Sequence, residues 1–163
     1  DLSAYRKSSK LRFVMNFDRF GLNKEFCEER GYKIFFGTDW LDDPEYEALE
    51  KFSRGSILFL FVADSKTDPI SVDSFEGVVK LERNFVDVDK IIKIHDYAVV
   101  YVSDDRDIFL VAAAEDKLSK LVDDVVSAGG KTYSSLVKSG TALPKKQVKE
   151  FFDYWAPLNF ELS

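Results

Sequence analysis

Thiol and imidazole groups are scarce in this sequence of 163 residues, which holds one cysteine, Cys27, and one histidine, His95. A single cysteine excludes an internal disulfide, and a structural zinc site needs about four cysteine or histidine ligands. An Asn-x-Ser/Thr glycosylation site is also missing. We therefore expect a protein of a reducing, cytoplasmic compartment that holds neither a metal ion nor another cofactor.

Long apolar runs and a surplus of basic residues are missing as well. No stretch approaches the roughly 18 consecutive apolar residues of a transmembrane helix, and no secretory leader pattern is visible. The formal net charge is −6, whereas nucleic acids and anionic membranes attract basic surfaces. We expect neither a nucleic acid nor a membrane as partner.

What the sequence does contain is material for a folded core. Hydrophobic residues make up 45% of the chain and aromatic residues 15%, which is not a disordered composition. Because no repeat or long linker divides the chain, we predict one α+β domain over residues 1–163. Residues 1–20 are the most basic part of the sequence, with residues 1–10 as a candidate flexible arm. Two interpretations stay open: a basic arm for a phosphate or an acidic partner, or a solvated, partly ordered terminus before a strand near Leu11–Phe17.

The most informative stretch is 97–129. Two apolar runs of strand length, 97–102 and 108–114, flank a polar segment with turn chemistry, which predicts a β-hairpin. A helix should follow, because apolar residues then recur at helical spacing, and Gly129 can end it. The apolar stripe of that helix comprises Leu118, Leu121, Val122, Val125 and Val126.

Further elements are predicted along the rest of the chain, and together they favour a mostly antiparallel sheet of five to seven strands with three to four helices packed on it. Ile57–Ala63 is the most continuously apolar of the strands and is predicted to be central. The predicted helices are Leu22–Gly31, Asp43–Gly55 and Pro144–Trp155; the further strands are Tyr32–Phe36, Phe75–Leu81 and Val86–Ile94; and Asp64–Asp73 is a loop.

Candidate catalytic groups are few. Gly130-Lys131-Thr132 matches the end of a phosphate-binding loop, but that motif needs a glycine where the chain has Val125. Cys27 and His95 form a nucleophile–base pair only if the fold brings them together. A small cytosolic hydrolase that uses these two residues or a pair of carboxylates is therefore an alternative hypothesis.

The strongest surface signal is an acidic segment interleaved with aromatic residues, from Asp39 to Glu50. Charge steers a basic partner toward such a surface, and the rings supply contact area. The alternative interpretation is a helix with solvated acids and its rings in the core. The predicted partner-binding residues are Asp39, Trp40, Asp42, Asp43, Glu45, Tyr46 and Glu47, joined by Asp104, Asp105 and Asp107 of the hairpin loop.

The leading hypothesis is a non-enzymatic interaction module for a basic protein partner. In composition the chain is similar to small bacterial immunity proteins that neutralise basic nuclease toxins, and this likeness rests on no motif. A further alternative is a structural or assembly subunit, in which the aromatic C-terminal helix with Phe151, Phe152 and Trp155 forms a homo-oligomeric contact.

Overall fold

The fold is an antiparallel sheet covered by helices on both faces. A computed structural model describes residues 20–37, 43–63, 68–85, 87–103, 108–132, 134–135 and 146–162. Within these ranges it has six strands and five α-helices. The predicted α+β class is confirmed, with more helices than the three to four expected.

The elements have the following bounds. The strands are β1 Lys33–Gly37, β2 Leu58–Val62, β3 Ile70–Val72, β4 Lys90–Ile94, β5 Ala98–Val102 and β6 Phe109–Ala113. The α-helices are α1 Lys24–Glu29, α2 Asp43–Ser53, α3 Phe75–Glu82, α4 Glu115–Ser127 and α5 Lys146–Trp155. Two short 3₁₀ helices, Ala156–Leu158 and Phe160–Leu162, follow α5.

The strand order is β1-β6-β5-β4-β2-β3, and every neighbouring pair is antiparallel. The predicted hairpin is confirmed as β5 and β6, with Val100 opposite Val111. The prediction that Ile57–Ala63 is central is wrong, because β2 lies fifth of six, next to the edge strand β3. Because helices cover both faces of the sheet, β5 and β6 are also buried along their whole length. An unbroken apolar run therefore does not show which strand is central.

Alternate residues of each strand point to opposite faces and build two separate cores. Val100 and Val111 lie in the first core, under α2, α3 and α4. Tyr101 and Leu110, their chain neighbours, lie in the second core, which includes residues of α1 and α5. The molecule therefore has three layers with the sheet in the middle.

Helix α4 agrees closely with the prediction from its apolar stripe. Leu118, Leu121 and Val125 are buried in the first core, and Gly129 has the positive φ of +90° expected just beyond a helix end. The prediction that Val126 belongs to the buried stripe is wrong, since 54% of this residue is exposed. It is the last residue of the stripe, and its position has rotated away from the sheet.

The segment Phe75–Leu81, predicted as a strand, is helix α3. Ser74 caps this helix, since its Oγ accepts the backbone N–H of Gly77 at 3.1 Å. Phe75, Val78 and Glu82 are buried, and their spacing is helical. The mixed alternation of apolar and polar residues suggests a strand, but the cap and the helical spacing of the buried residues favour the helix.

Two more corrections concern β3 and β4. The predicted loop Asp64–Asp73 contains β3, which is three residues long and pairs only with β2. The predicted strand Val86–Ile94 is shorter, because β4 begins at Lys90 and Asp87 has a positive φ of 66°.

The remaining helices begin and end near their predicted positions. Asn23 caps α1 by accepting the N–H of Phe26 at 3.0 Å, and α2 begins at Asp43. Helix α5 ends at Trp155, just before Pro157. The predicted strand near Leu11–Phe17 and the start of the last helix at Pro144 lie outside the described residues.

Candidate functional site

One end of the sheet is attached to segments rich in aspartate. Cross-strand pairing places Val62, Lys90, Val102, Phe109 and Gly37 in one row at one end. The segments that begin or finish at this row are 38–42, 63–69, 83–89 and 103–108, and their sequences contain nine aspartates and three basic residues. We call this row and its four segments the aspartate end.

Aspartates of the aspartate end that the structure describes are accessible. Asp68 and Asp87 are exposed, and Asp89 is half-buried while its carbonyl accepts the N–H of Ala63 at 2.9 Å. Clustering of like charges costs stability through self-repulsion. An end with this composition is therefore a candidate for recognition of a positive partner.

Only some of the predicted partner-binding residues lie in the described part of the chain. Glu47 is exposed on α2, whereas Glu45 is 6% exposed. Tyr46 is half-buried, with its ring 5.6 Å from the ring of Phe75. For Asp43 the structure gives the backbone, as the first residue of α2. The others lie outside the described residues: Asp39, Trp40, Asp42, Asp104, Asp105 and Asp107.

The hairpin loop and the acidic segment are attached to adjacent strand ends. Gly37, which precedes the acidic segment, pairs with Phe109. Val102, which precedes the hairpin loop, pairs with the same Phe109. The residues to which the two segments are attached, Gly37 and Phe109, therefore lie one strand spacing apart, roughly 5 Å.

Cys27 has the environment of a core residue. It belongs to α1, and its side chain is fully buried in the second core. Burial, with a smaller contribution from the charge of Glu28, raises the pKa of Cys27 from 9.0 to about 12. The sulfur therefore stays a protonated thiol at neutral pH, whereas a nucleophilic cysteine needs an accessible thiolate.

His95 lies in the turn between β4 and β5, at the end of the sheet opposite the aspartates. Its side chain is 59% exposed, and Nδ1 lies 2.6 Å from Oδ1 of Asp96. This hydrogen bond is the main cause that lowers the pKa of the Asp96 carboxyl group. Of the two candidate catalytic side chains, one is thus enclosed and the other faces solvent, an arrangement that does not suit a nucleophile–base pair.

Lys93, near this turn, also has a shifted pKa. Desolvation, and then the neighbouring charge of Arg30, lower the pKa of Lys93. Together with Ile57, Phe59, His95 and Asp96 it lines a shallow cavity of about 260 Å³. Among the described residues, no three His, Cys, Asp or Glu side chains are close enough to hold a metal ion.

The aromatic residues of helix α5 pack against other parts of the same chain. Trp155 is fully buried and donates from Nε1 to the carbonyl of Phe20 at 2.8 Å. Phe151 stacks on Tyr101 of β5, and Phe152 makes an edge contact with Phe36 of β1. These contacts engage the face that the sequence suggested for a homo-oligomer.

A cavity that the sequence did not indicate lies between α2 and α4. It has a volume of about 350 Å³, and Tyr97 in its lining belongs to the turn between β4 and β5, at the end of the sheet away from the aspartate end. Its basic side chains come from two segments 60 or more residues apart, so only the packing of the helices brings them together. The lining comprises Lys51, Phe52, Arg54, Ser56, Tyr97, Lys117, Lys120 and Asp124.

Comparison with known proteins gives no further constraint on function. No protein-family model, curated protein or solved structure matches the chain. Among the helices that the structure describes, none has the length and apolarity needed to cross a bilayer.

Proposed function

We propose that this protein is a non-catalytic binding module whose aspartate end docks on a basic protein partner. The observation that carries the proposal is the strand pairing, which attaches four aspartate-rich segments to one end of the sheet. A field of one sign raises the association rate with a partner of the opposite sign. Trp40, in segment 38–42, supplies an aromatic anchor for the interface.

The environments of Cys27 and His95 support a binding role over a hydrolase. The buried thiol is protonated, and the imidazole is engaged with Asp96 in an exposed turn. A partner with a basic nucleic-acid-binding surface would be neutralised by such an acidic end, since the end mimics the charge of a phosphate backbone. We therefore propose an inhibitor or immunity-type role in a reducing, cytoplasmic compartment.

A capture experiment with matched charge variants tests this proposal. The tagged protein is incubated at low ionic strength with extract of its native source, and captured proteins are identified by mass spectrometry. D104N/D105N removes two charges from the hairpin loop at the aspartate end. E28Q/E29Q removes two charges from exposed residues of α1 and is the control with the same net charge.

The proposal predicts a captured protein of high isoelectric point that the wild type and E28Q/E29Q retain and D104N/D105N loses. Raising the salt concentration should elute it, because screening weakens charge-driven association. Captured proteins that are acidic, or that D104N/D105N retains fully, would contradict the proposal.

A further inference from the structure

The cavity between α2 and α4 concentrates basic groups on an acidic protein. Four basic side chains line it, Lys51 and Arg54 from α2 and the turn after it, and Lys117 and Lys120 from α4. The chain as a whole has 23 basic and 29 acidic residues. The two helices are antiparallel, since Lys51 contacts Asp124 while Pro44 lies against Gly130.

Two of the four cations are compensated by carboxylates. Arg54 donates to both carboxylate oxygens of Glu50, at 2.7 and 3.4 Å. Nζ of Lys51 lies 3.4 Å from Oδ1 of Asp124. The Lys51 and Arg54 side chains are 55% and 69% exposed, so water and a ligand can compete for both ion pairs.

The other two cations that line the cavity have no carboxylate partner within the described part of the chain. Among the residues that the structure describes, neither Lys117 nor Lys120 forms an ion pair. Nζ of Lys117 lies 4.6 Å from the centre of the Tyr97 ring, a cation–π contact that places the ammonium group at the wall of the cavity. The uncompensated charge of the site is therefore about that of two ammonium groups.

Tyr97 gives the wall a fixed position. Its hydroxyl donates to the carbonyl of Phe52 at 3.0 Å and lies 2.9 Å from Oγ of Ser56. These bonds connect the turn between β4 and β5 to the end of α2. The cationic groups thus surround a cavity with a defined shape, and Ser56 adds a hydroxyl to its lining.

We infer that this cavity binds a small molecule that carries a phosphate group. A phosphate monoester has a charge of about −1.5 to −2 at neutral pH and matches two uncompensated ammonium groups. Guanidinium and ammonium groups bind phosphate oxygens through short charge-assisted hydrogen bonds. A volume of about 350 Å³ lies within the usual range for small-molecule sites, roughly 300 to 1,000 Å³. The site goes beyond the proposed partner binding and lies at the other end of the sheet.

Isothermal titration calorimetry with inorganic pyrophosphate tests the inference, with citrate as a non-phosphate anion of high charge. The site variant is K117Q/K120Q. The control K80Q/K149Q removes two cations from exposed positions on α3 and α5 and gives the same net charge. Thermal unfolding of each variant shows that it is folded.

The wild type should bind pyrophosphate at least tenfold more tightly than citrate. K117Q/K120Q should lose at least tenfold in affinity for pyrophosphate, whereas K80Q/K149Q should stay within about twofold of the wild type. D124N should bind pyrophosphate more tightly than the wild type, because Asp124 competes with the ligand for Lys51. Absence of pyrophosphate binding, equal affinity for citrate, or equal losses in the two lysine variants would overturn the inference, as would unchanged affinity in D124N.

Discussion

At the scale of single residues, the burial of Cys27 makes the stability of the protein depend on pH. The side chain packs fully enclosed in the second core, and desolvation raises its pKa to about 12. The unfolded chain releases this proton near pH 9.0, the ordinary value for the thiol, while the folded chain keeps it. The free energy of unfolding must therefore fall as the pH rises from 9 toward 12.

We expect the wild type to lose up to about 1.4 kcal/mol of stability per pH unit above pH 9 through this thiol. C27A should lack this contribution, so the difference in stability between the two proteins should shrink as the pH rises. Urea unfolding at pH 7, 9 and 10 measures this difference. Parallel stability curves for the two proteins would show that the thiol is not desolvated.

Lys90 and Glu82 form an ion pair with both side chains fully buried. Nζ of Lys90 lies 2.9 Å from Oε1 of Glu82 and also donates to the carbonyl of Phe85 at 2.8 Å. Because Glu82 is in α3 and Lys90 begins β4, the pair holds this helix against the sheet. Removal of one partner leaves a buried charge without its counter-charge.

E82A should destabilise the protein by about 3–5 kcal/mol. The double variant E82L/K90M should lose clearly less, because it leaves no charge in the core. Both free energies come from urea unfolding at neutral pH. A double variant as unstable as E82A would show that the pair contributes more than charge compensation.

At the scale of elements, the contact between β1 and β6 depends on a glycine. Gly37 pairs with Phe109, and the ring of Phe109 fills the space that a side chain at position 37 would need. The backbone of β1 can therefore lie this close to the ring only because residue 37 has no side chain.

G37A should destabilise the protein by about 1–3 kcal/mol through overpacking. In the background of F109L, which has a smaller side chain, the same substitution should cost much less. A double-mutant cycle by urea unfolding measures this coupling. Additive effects of the two substitutions would mean that the ring does not occupy this space.

Elements whose sequence pattern lies within one short segment could be predicted, and elements that depend on contacts with distant segments could not. The β5–β6 hairpin and α4 were predictable, because turn residues, apolar runs and a helical stripe all lie within 97–129. Strand β3 was missed because its three residues gain stability from pairing with β2, a contact outside its own segment. Helix α3 was mistaken for a strand although Ser74 provided a cap signal.

The candidate sites depended even more on the tertiary structure. The aspartates of 38–42 and 103–108 are visible in the sequence, but that the two segments are attached to neighbouring strands follows only from the pairing of Gly37 and Val102 with Phe109. The basic side chains that line the cavity between α2 and α4 come together only through the antiparallel packing of these helices, which no local sequence pattern specifies.

At the scale of the whole molecule, aspartate-rich segments and a group of basic side chains belong to opposite ends of the sheet. Four aspartate-rich segments are attached to one end, and Tyr97 in the lining of the cavity belongs to the turn at the other. A protein with such a charge distribution orients in the field of a charged partner before contact. We therefore expect the aspartate end to determine how fast a basic partner associates.

The association rate of the captured basic partner, measured by stopped-flow fluorescence over a range of salt concentrations, tests this account most directly. We predict that the wild-type and E28Q/E29Q rates fall steeply and in parallel as salt rises, and that D104N/D105N associates several-fold more slowly at low salt with a shallower dependence. Equal rates and equal salt dependence for D104N/D105N and E28Q/E29Q would contradict the account, because net charge and not the aspartate end would then govern the encounter.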